Sequence, residues 1–400
     1  MITFAWRGHA YLSGDISTSA DVLIIGGGIA GAGAAYEIAA FASVMVLERE
    51  SRCGYHATGR SAASFTENYG GEVVRRLAMA SRRFLEEPPA GFCDHPLLTP
   101  RGMITIGRAD QLQLLERELE QASALVPSIT RIDVEAAIAR VPILRRDYVA
   151  GAFIEPNSRE VDVHGLHQGF LNAAKKRGAR ILVDSDVLTI ERNRGRWLVT
   201  TAAGTYCAPV LVNAAGAWAD GVAVQAGVRP LGLLPKRRTA FNIPAPAGMD
   251  IQVWPLINDV AEQFYFKPDA GQLFVSPADA TPSAAVDAHA EDIDVAAGVE
   301  RLERATTLNV RRVSHSWAGL RTFAPDSLPV VGPDGTDGFF WLAGQGGYGI
   351  KTSPSLSRVC ACLIRGRELP DDLRGLGISA SQLSPDRLRG RVAAYLAAST

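Results

Sequence analysis

Four consecutive apolar residues, Val22–Ile25, run into a stretch of glycines, after which small and apolar residues recur at a spacing that predicts a helix over 30–42. A second apolar run, Val44–Leu47, ends in Glu48. Neither run alternates with polar residues, which is the pattern of strands buried on both faces of a parallel sheet. The opening is thus a βαβ unit. Residues 111–140 carry two amphipathic patterns, "QLQLLERELEQASAL" and "VEAAIARV". Asp162 is placed to cap a helix reaching Gly178, with Lys175, Lys176 and Arg177 in its last turn, where cations suit the negative end of the helix dipole. A strand over 181–183 follows. Segments 197–201 and 205–207 form a hairpin around "AAG", and "VLVNAAG" at 210–216 is another buried strand entering a glycine turn. From Lys236 to about Ser276 the pattern is antiparallel, with "KPDAGQ" turning between strands at 264–266 and 273–275. The helix "VERLERAT" comes next. Strand Phe339–Ala343 then leads through "GQGGYGIKTSP" into a last core helix over 356–364, which begins near Thr352, Ser353 and Pro354, residues suited to a helix start. There are no internal repeats and no low-complexity segment. An α/β pattern at both ends with an antiparallel middle predicts a discontinuous nucleotide-binding domain interrupted by a second domain, as the length of 400 residues also favours.

The totals narrow the function. With 41 basic and 42 acidic residues, net charge −1, the chain offers no electrostatic case for nucleic acid. Cys53, Cys93, Cys207, Cys360 and Cys362 are scattered and form no CxxC pair, which argues against a disulfide framework or a zinc site; Cys360 and Cys362 read as helix residues. No metal is expected. Residues 1–20 hold no apolar stretch of signal-peptide type and no segment reaches membrane-spanning length, so a cytoplasmic protein is expected.

Gly26, Gly28 and Gly31 match the dinucleotide fingerprint: a tight turn, a close backbone approach to pyrophosphate, and close helix–strand packing. The helix start adds unpaired N–H groups, and Glu48 at the end of the next strand is placed to accept from ribose hydroxyls. Three further glycine-bearing segments, "HATGRSAASF", "NAAGAW" and "GQGGYGIK", exceed what a simple NAD domain needs. A helix start with Lys351 beside it would stabilise the negative charge of a reduced flavin, so the end segment reads as a flavin site.

The stretches "VLERE", "GYHATGRSAA", "PPAGFCDHPLL", "VLVNAAGAW", "GVRPLGLLPKRR", "FYFKPDAG", "WAGLR" and "QGGYGI" resemble the D-amino acid oxidase family of flavoproteins, and within it the bacterial D-arginine dehydrogenases. The resemblance runs from about Asp21 to the C-terminal region. It implies an α/β fold: a discontinuous Rossmann-like FAD-binding domain of glutathione-reductase type over 18–90, 155–235 and 308–400. An α+β substrate domain with an antiparallel sheet takes 91–154 and 236–307, leaving 1–17 as an extension. It implies FAD contacts from Gly26, Gly28, Ile29, Ala30, Glu48, Arg49, Ser61, Ala62, Ala63, Val187, Gly216, Gly346, Gly347, Gly349, Ile350 and Lys351. Some family members attach flavin to a cysteine shortly before the last glycine loop. This chain has none between 208 and 359, so FAD is expected to be non-covalent.

An α-amino acid substrate needs its carboxylate clamped, its amine neutral and its α-hydrogen aimed at the flavin. Arginine suits the clamp, because its planar fork meets a carboxylate with two parallel bonds. By resemblance, Arg238 and Arg321 are the carboxylate arginines, Tyr265 assists them, and Tyr69 and the Gly347 carbonyl face the amine. Read without the resemblance, "KRR" is a charge cluster in which one of Arg237 and Arg238 is solvated, and Tyr265 could equally be core. Arg321 among apolar residues is harder to read as structural. His56 lies in the flavin loop as a structural residue, and His164 and His167 show no ligand spacing. Where D-arginine dehydrogenases have a glutamate that reads the cationic end of the substrate, this chain has Met103; where they have a histidine near the imine, it has Ser64. Neutral or apolar D-amino acids are therefore the expected substrates, although Glu67 could restore a negative charge. The activity expected is that of a D-amino acid dehydrogenase. An oxidase of D-amino acids or N-methyl amino acids is the first rival, and a flavin-binding protein without turnover the second. Residues 273–276 carry no lysine at the place where some oxidases of the family hold one, which points to a quinone-like or carrier acceptor rather than oxygen.

Overall fold

The computed structural model describes residues 18–389. The expected extension 1–17, and residues 390–400 of the expected last FAD segment, lie outside the described residues. Two sheets dominate. The first has six strands in the order Val330–Pro333, Phe339–Ala343, Val210–Asn213, Val22–Ile25, Val44–Leu47, Arg180–Leu182. All neighbours are parallel except the first pair. The unbroken apolar runs are explained by its two covered faces. Val22 and Ile24 join a core with helices Ile29–Ile38, Val163–Lys176 and Gly349–Ile364, while Leu23 and Ile25 face the three-stranded sheet of Val187–Asn193, Arg196–Thr201 and Gly204–Ala208.

The second sheet has nine strands and is mostly antiparallel. Leu234–Pro244 lies between Gln272–Ser276 and His315–Phe323, and the sheet continues through Tyr265–Asp269 and Leu256–Asp259 to Met103–Gly107, Gly151–Glu155 and Thr130–Ile132. Its period-2 alternation separates two environments. Ile104, Ile106, Phe241, Ile257, Phe266, Leu273 and Val275 build a core with helices Asp292–Ala305 and Val134–Arg140. The opposite face gathers Ala240, Leu256, Tyr265 and Phe274, with Met103 packed against them.

Several elements differ from their expected bounds. The first helix stops at Ile38, and Asp162 does cap its helix, accepting from Gly165 N at 2.9 Å, but that helix ends at Lys176. The last core helix starts at Gly349, several residues early, and holds both Cys360 and Cys362. Pro354 then sits inside it without an N–H to give the Ile350 carbonyl, and Ser353 Oγ supplies the missing donor at 2.9 Å. Helix Glu72–Glu86 and strand Gly151–Glu155 were not anticipated. Strand His315–Phe323 belongs to the second sheet, so the expected segment beginning at 308 does not stay within one sheet. No helix among the described residues is long and apolar enough to cross a membrane.

The glycine turn joins first strand to first helix. Gly26 has φ of +104°, and an added Cβ would lie 2.5 Å from the Ala214 carbonyl oxygen. A Cβ on Gly31 would enter the van der Waals shell of the Gly26 carbonyl oxygen, a backbone atom that cannot swing aside. Gly31→Ala is therefore expected to lower stability by about 1–3 kcal/mol, as overpacked sites do, read as a shift in urea midpoint at unchanged m-value.

Candidate active site

A cavity of about 460 Å³ opens between the two sheets. One end is made by the first sheet. Gly26, Gly28, Ile29 and Ala30 line it, with Glu48, Arg49 and Val187 further along and Ser61, Ala62 and Gly216 flanking. The Glu48 carboxylate is buried and accepts from Gly27 N at 2.7 Å and Glu50 N at 3.0 Å, which fixes its orientation and leaves lone pairs for hydroxyl groups. His167, read as an ordinary helix residue, buttresses the turn from behind: its Nε2 donates to the Gly27 carbonyl at 2.8 Å. Burial pushes its pKa down, which keeps a neutral ring there. His56 lies on the wall with Nε2 held by Glu50 at 2.8 Å.

The other end belongs to the second sheet. Lys236 pairs with Arg321 and Arg238 with Gly319, so Arg238 and Arg321 are diagonal neighbours on one face of adjacent strands. Arg237 points to the opposite face, where Glu291 and Asp294 hold it. Thus the "KRR" cluster divides between a structural and a cavity-facing arginine by strand alternation alone. Arg321 Nη2 donates to Tyr265 Oη at 3.4 Å. Among the described residues, no carboxylate lies within ion-pair distance of Arg238 or Arg321. Burial and the Arg321 charge push the pKa of Arg238 down. Burial also opposes the Arg321 charge, but Tyr265, Tyr69 and Glu262 lift its pKa overall. Both guanidinium groups line the cavity.

Gly346, Gly347, Gly349 and Ile350 complete the wall where the two sheets meet. Gly346 N donates to the Thr322 carbonyl at 2.8 Å, and a Cβ on Gly347 would come within 3.0 Å of Arg321 Nη1. The remaining expected residues lie off the wall. Gly31 is behind the turn, and Ala63 accepts from Val161 N at 2.8 Å. Ser64 pairs with Glu160 in a short ladder. Met103 packs behind Ala62, Tyr265 and Phe274. Glu67 is buried and paired with Arg82 at 2.7 Å; burial pushes its pKa up. Tyr69 stacks edge-on against Tyr348, with centroids 5.3 Å apart, and is close enough for both arginines to oppose the burial that raises its phenol pKa. Lys351, expected beside the flavin, instead turns away from the cavity, donating to the carbonyls of Thr66 at 2.8 Å and Tyr69 at 2.6 Å.

Three wall atoms are buried without a partner: Arg238 Nε, Thr322 Oγ1 and Gln345 Nε2. Thr322 and Gln345 were missed, since neither residue type nor spacing distinguishes them. A cavity with orphaned donors, an oriented acid and two glycine-rich backbone edges fits a long polar ligand such as FAD.

Residues 21–363 match the family model for DAO, FAD dependent oxidoreductase, and the chain belongs to this family. Glycine oxidase of Geobacillus kaustophilus is 25% identical over 372 residues, covering 88% of this chain and 95% of that protein. Its crystal structure has a TM-score of 0.77 at 23% identity, covering 90% of this chain and 98% of that one. D-amino acid dehydrogenase of Cereibacter sphaeroides is 27% identical over 299 residues, 72% of this chain and 65% of that protein. L-proline dehydrogenase from P. horikoshii has a TM-score of 0.79 at 20% identity, covering 93% and 98% of the two chains. The chain is an FAD-dependent oxidoreductase acting on amino-acid-like donors.

Replacing either cavity arginine separates function from stability. Arg238→Leu or Arg321→Leu is expected to lower kcat/KM for an amino acid about ten- to a hundredfold, the worth of a charge-assisted bond of about 1.5–3 kcal/mol. FAD stays bound, and Tm holds or rises because a like-charge neighbour is removed. Steady-state kinetics with a flavin absorbance spectrum checks this; normal turnover in either variant removes that arginine from the site.

Proposed function

We propose that the protein is a D-amino acid dehydrogenase for substrates with neutral, mainly apolar side chains, yielding the 2-oxo acid and ammonia. The observation that carries the reading is the unpaired guanidinium pair beside an apolar sheet face. In this reading Arg238 and Arg321 clamp the substrate carboxylate, with the Tyr265 hydroxyl alongside. Tyr69 and the Gly347 carbonyl orient the amine. Glu48 meets the ribose end of the cofactor, the backbone around Gly26–Ala30 the pyrophosphate, and Gly346–Ile350 the flavin end. FAD bound there would supply the two-electron acceptor for the α-hydrogen and its bonding pair. The imino acid then leaves and takes up water. Glu262 acts on Arg321 only through its charge, and among the described residues no carboxylate or imidazole lies within ion-pair distance of either arginine to serve as a base, which fits an amine that arrives neutral. No cysteine lines the cavity, in keeping with non-covalent FAD; acid is expected to release free FAD, and colour staying with the denatured chain rejects this.

The side-chain end supports the substrate class. Met103 backs Ala62, Tyr265 and Phe274. The acids nearby are engaged: Glu67 by Arg82, and Glu155, which pairs with Met103 in the ladder, by the Thr66 hydroxyl at 2.8 Å. Lys267 on this sheet face is ion-paired with Glu160, and residues 273–276 carry no lysine, which supports an acceptor other than oxygen.

Anaerobic bleaching of the flavin by a D-amino acid panel tests the reading. D-leucine, D-methionine and D-phenylalanine should reduce it faster than D-arginine or D-lysine. Met103→Glu should shift kcat/KM toward basic substrates and weaken apolar ones, because a buried unpaired carboxylate is costly. If the wild type prefers D-arginine, an acid at the cavity mouth such as Glu262 does the reading instead. Peroxide formed in stoichiometric yield under air would favour the oxidase alternative.

A further inference from the structure

Lys351 is a fully enclosed cation in the first turn of helix Gly349–Ile364, and its ammonium points at the segment carrying Tyr69. Besides the Glu67–Arg82 ion pair, that segment is held by four hydrogen bonds. Lys351 Nζ donates to Thr66 O and Tyr69 O, Arg75 Nε donates to Gly70 O at 2.7 Å, and Thr66 Oγ1 donates to Glu155 at 2.8 Å. The Tyr69 and Tyr348 rings lie 5.4 Å and 5.7 Å from the ammonium. Of the four, only the Lys351 contact ties the Tyr69 backbone to the helix that starts at the glycine edge of the cavity.

We propose that Lys351 is a positioning residue whose Nζ, shared between the Thr66 and Tyr69 carbonyls, holds Tyr69 against Tyr348 and close to the cavity arginines. It acts through Tyr69 and touches neither substrate nor cofactor. Its charge state adds a direction. Burial pushes its pKa down to about 7, with Glu155 opposing that shift, Arg75 adding to it and Glu67 opposing it more weakly. Two acceptors match the two N–H bonds of a neutral amine. Release of the segment would return the amine to water and to the ordinary lysine range, so above about pH 7 release takes up a proton and the clasp tightens with pH. Below that, both states hold the proton and the term is flat. Glu155 and Glu67, whose pKa values burial raises, have the opposite sign: their contribution to closure weakens as pH rises. Arg75 and Arg82 stay charged throughout. A tightening above neutrality thus belongs to Lys351.

The catalytic half of this inference rests on the amino-acid reading above, whereas backbone exchange of 66–71 does not. In the holoenzyme, amide hydrogen exchange of 66–71, corrected for intrinsic rates, should slow between pH 6.5 and 9 in wild type. Lys351→Met should exchange there about tenfold faster at pH 8, lose the pH trend, keep its flavin, and leave exchange in Val210–Asn213 unchanged. With D-amino acids it should raise KM more than it lowers kcat. Lys351→Gln, which keeps two N–H donors without a titratable charge, should restore protection without the pH trend. Unchanged exchange in Lys351→Met, or a wild-type profile flat across this range, overturns the proposal; the wild-type profile decides even if the variants do not fold. If no D-amino acid bleaches the flavin while the exchange results hold, the substrate reading fails and the positioning role stands.

Discussion

Two guanidinium groups share one wall of a buried cavity with no carboxylate between them, and the rest of the site is built around that imbalance. Burying like charges together is unfavourable, and the downward shift of Arg238 is its signature. The fold sustains it through backbone register. Strands Leu234–Pro244 and His315–Phe323 pair over nine residues, and this ladder sets the two side chains diagonal on one face. Arg237 works in the other direction. Its ion pairs with Glu291 and Asp294 tie the strand to helix Asp292–Ala305, so an anchoring charge immediately precedes the cavity-facing one. Under the proposed reading a substrate carboxylate would complete the arrangement and relieve the repulsion, which is how a site gains affinity at the expense of resting stability.

The same strand joins the two sheets. Thr322 and Phe323 follow Arg321, and both meet the glycine segment: Thr322 O receives Gly346 N, and Phe323 bridges Gln345. Helix Gly349–Ile364 starts directly beyond, packed on the Ile29–Ile38 helix in the core of the first sheet. A shift of the Arg321 strand would therefore move the glycine edge and helix start with it. Gly347 shows how tight the junction is, since even a methyl group would press on the Arg321 guanidinium.

Much of the first sheet was legible because its signals are local. Runs without alternation mark strands buried on two faces, the glycine spacing marks the turn, and Asp162 stands three residues before the N–H it caps. What escaped depends on contacts far apart in the chain. Nothing near Lys351 indicates that its side chain turns from the cavity toward Thr66 and Tyr69, some 285 residues earlier in sequence. The early start of the last helix defies the low helix propensity of Gly349 and the break expected at Pro354, because packing against the first helix outweighs both. Strand Gly151–Glu155, which places Glu155 beside Met103, likewise pairs with a segment far from it in the chain. The arginines could be picked out by residue type, but only the ladder shows which of Arg237 and Arg238 faces the cavity.

The cavity is polarised along its length, and that polarity bears on selectivity more than any single contact. At the carboxylate end there is excess positive charge without a partner. Behind the side-chain end the charges are balanced in pairs: Glu67 with Arg82, and Glu160 with Arg101 and Lys267. A paired acid has little left to offer a substrate cation, because recruiting it would strand its partner in a buried setting. The wall at Ala62, Tyr265 and Phe274, with Met103 packed behind it, offers apolar contact area, and the tyrosine hydroxyl is turned toward Arg321. Under the proposed reading the molecule best matched to this gradient is an anion at one end and hydrocarbon at the other. A second cation on the substrate would find the acids behind that face already engaged, and its cost would rise with how far the side chain enters the apolar face.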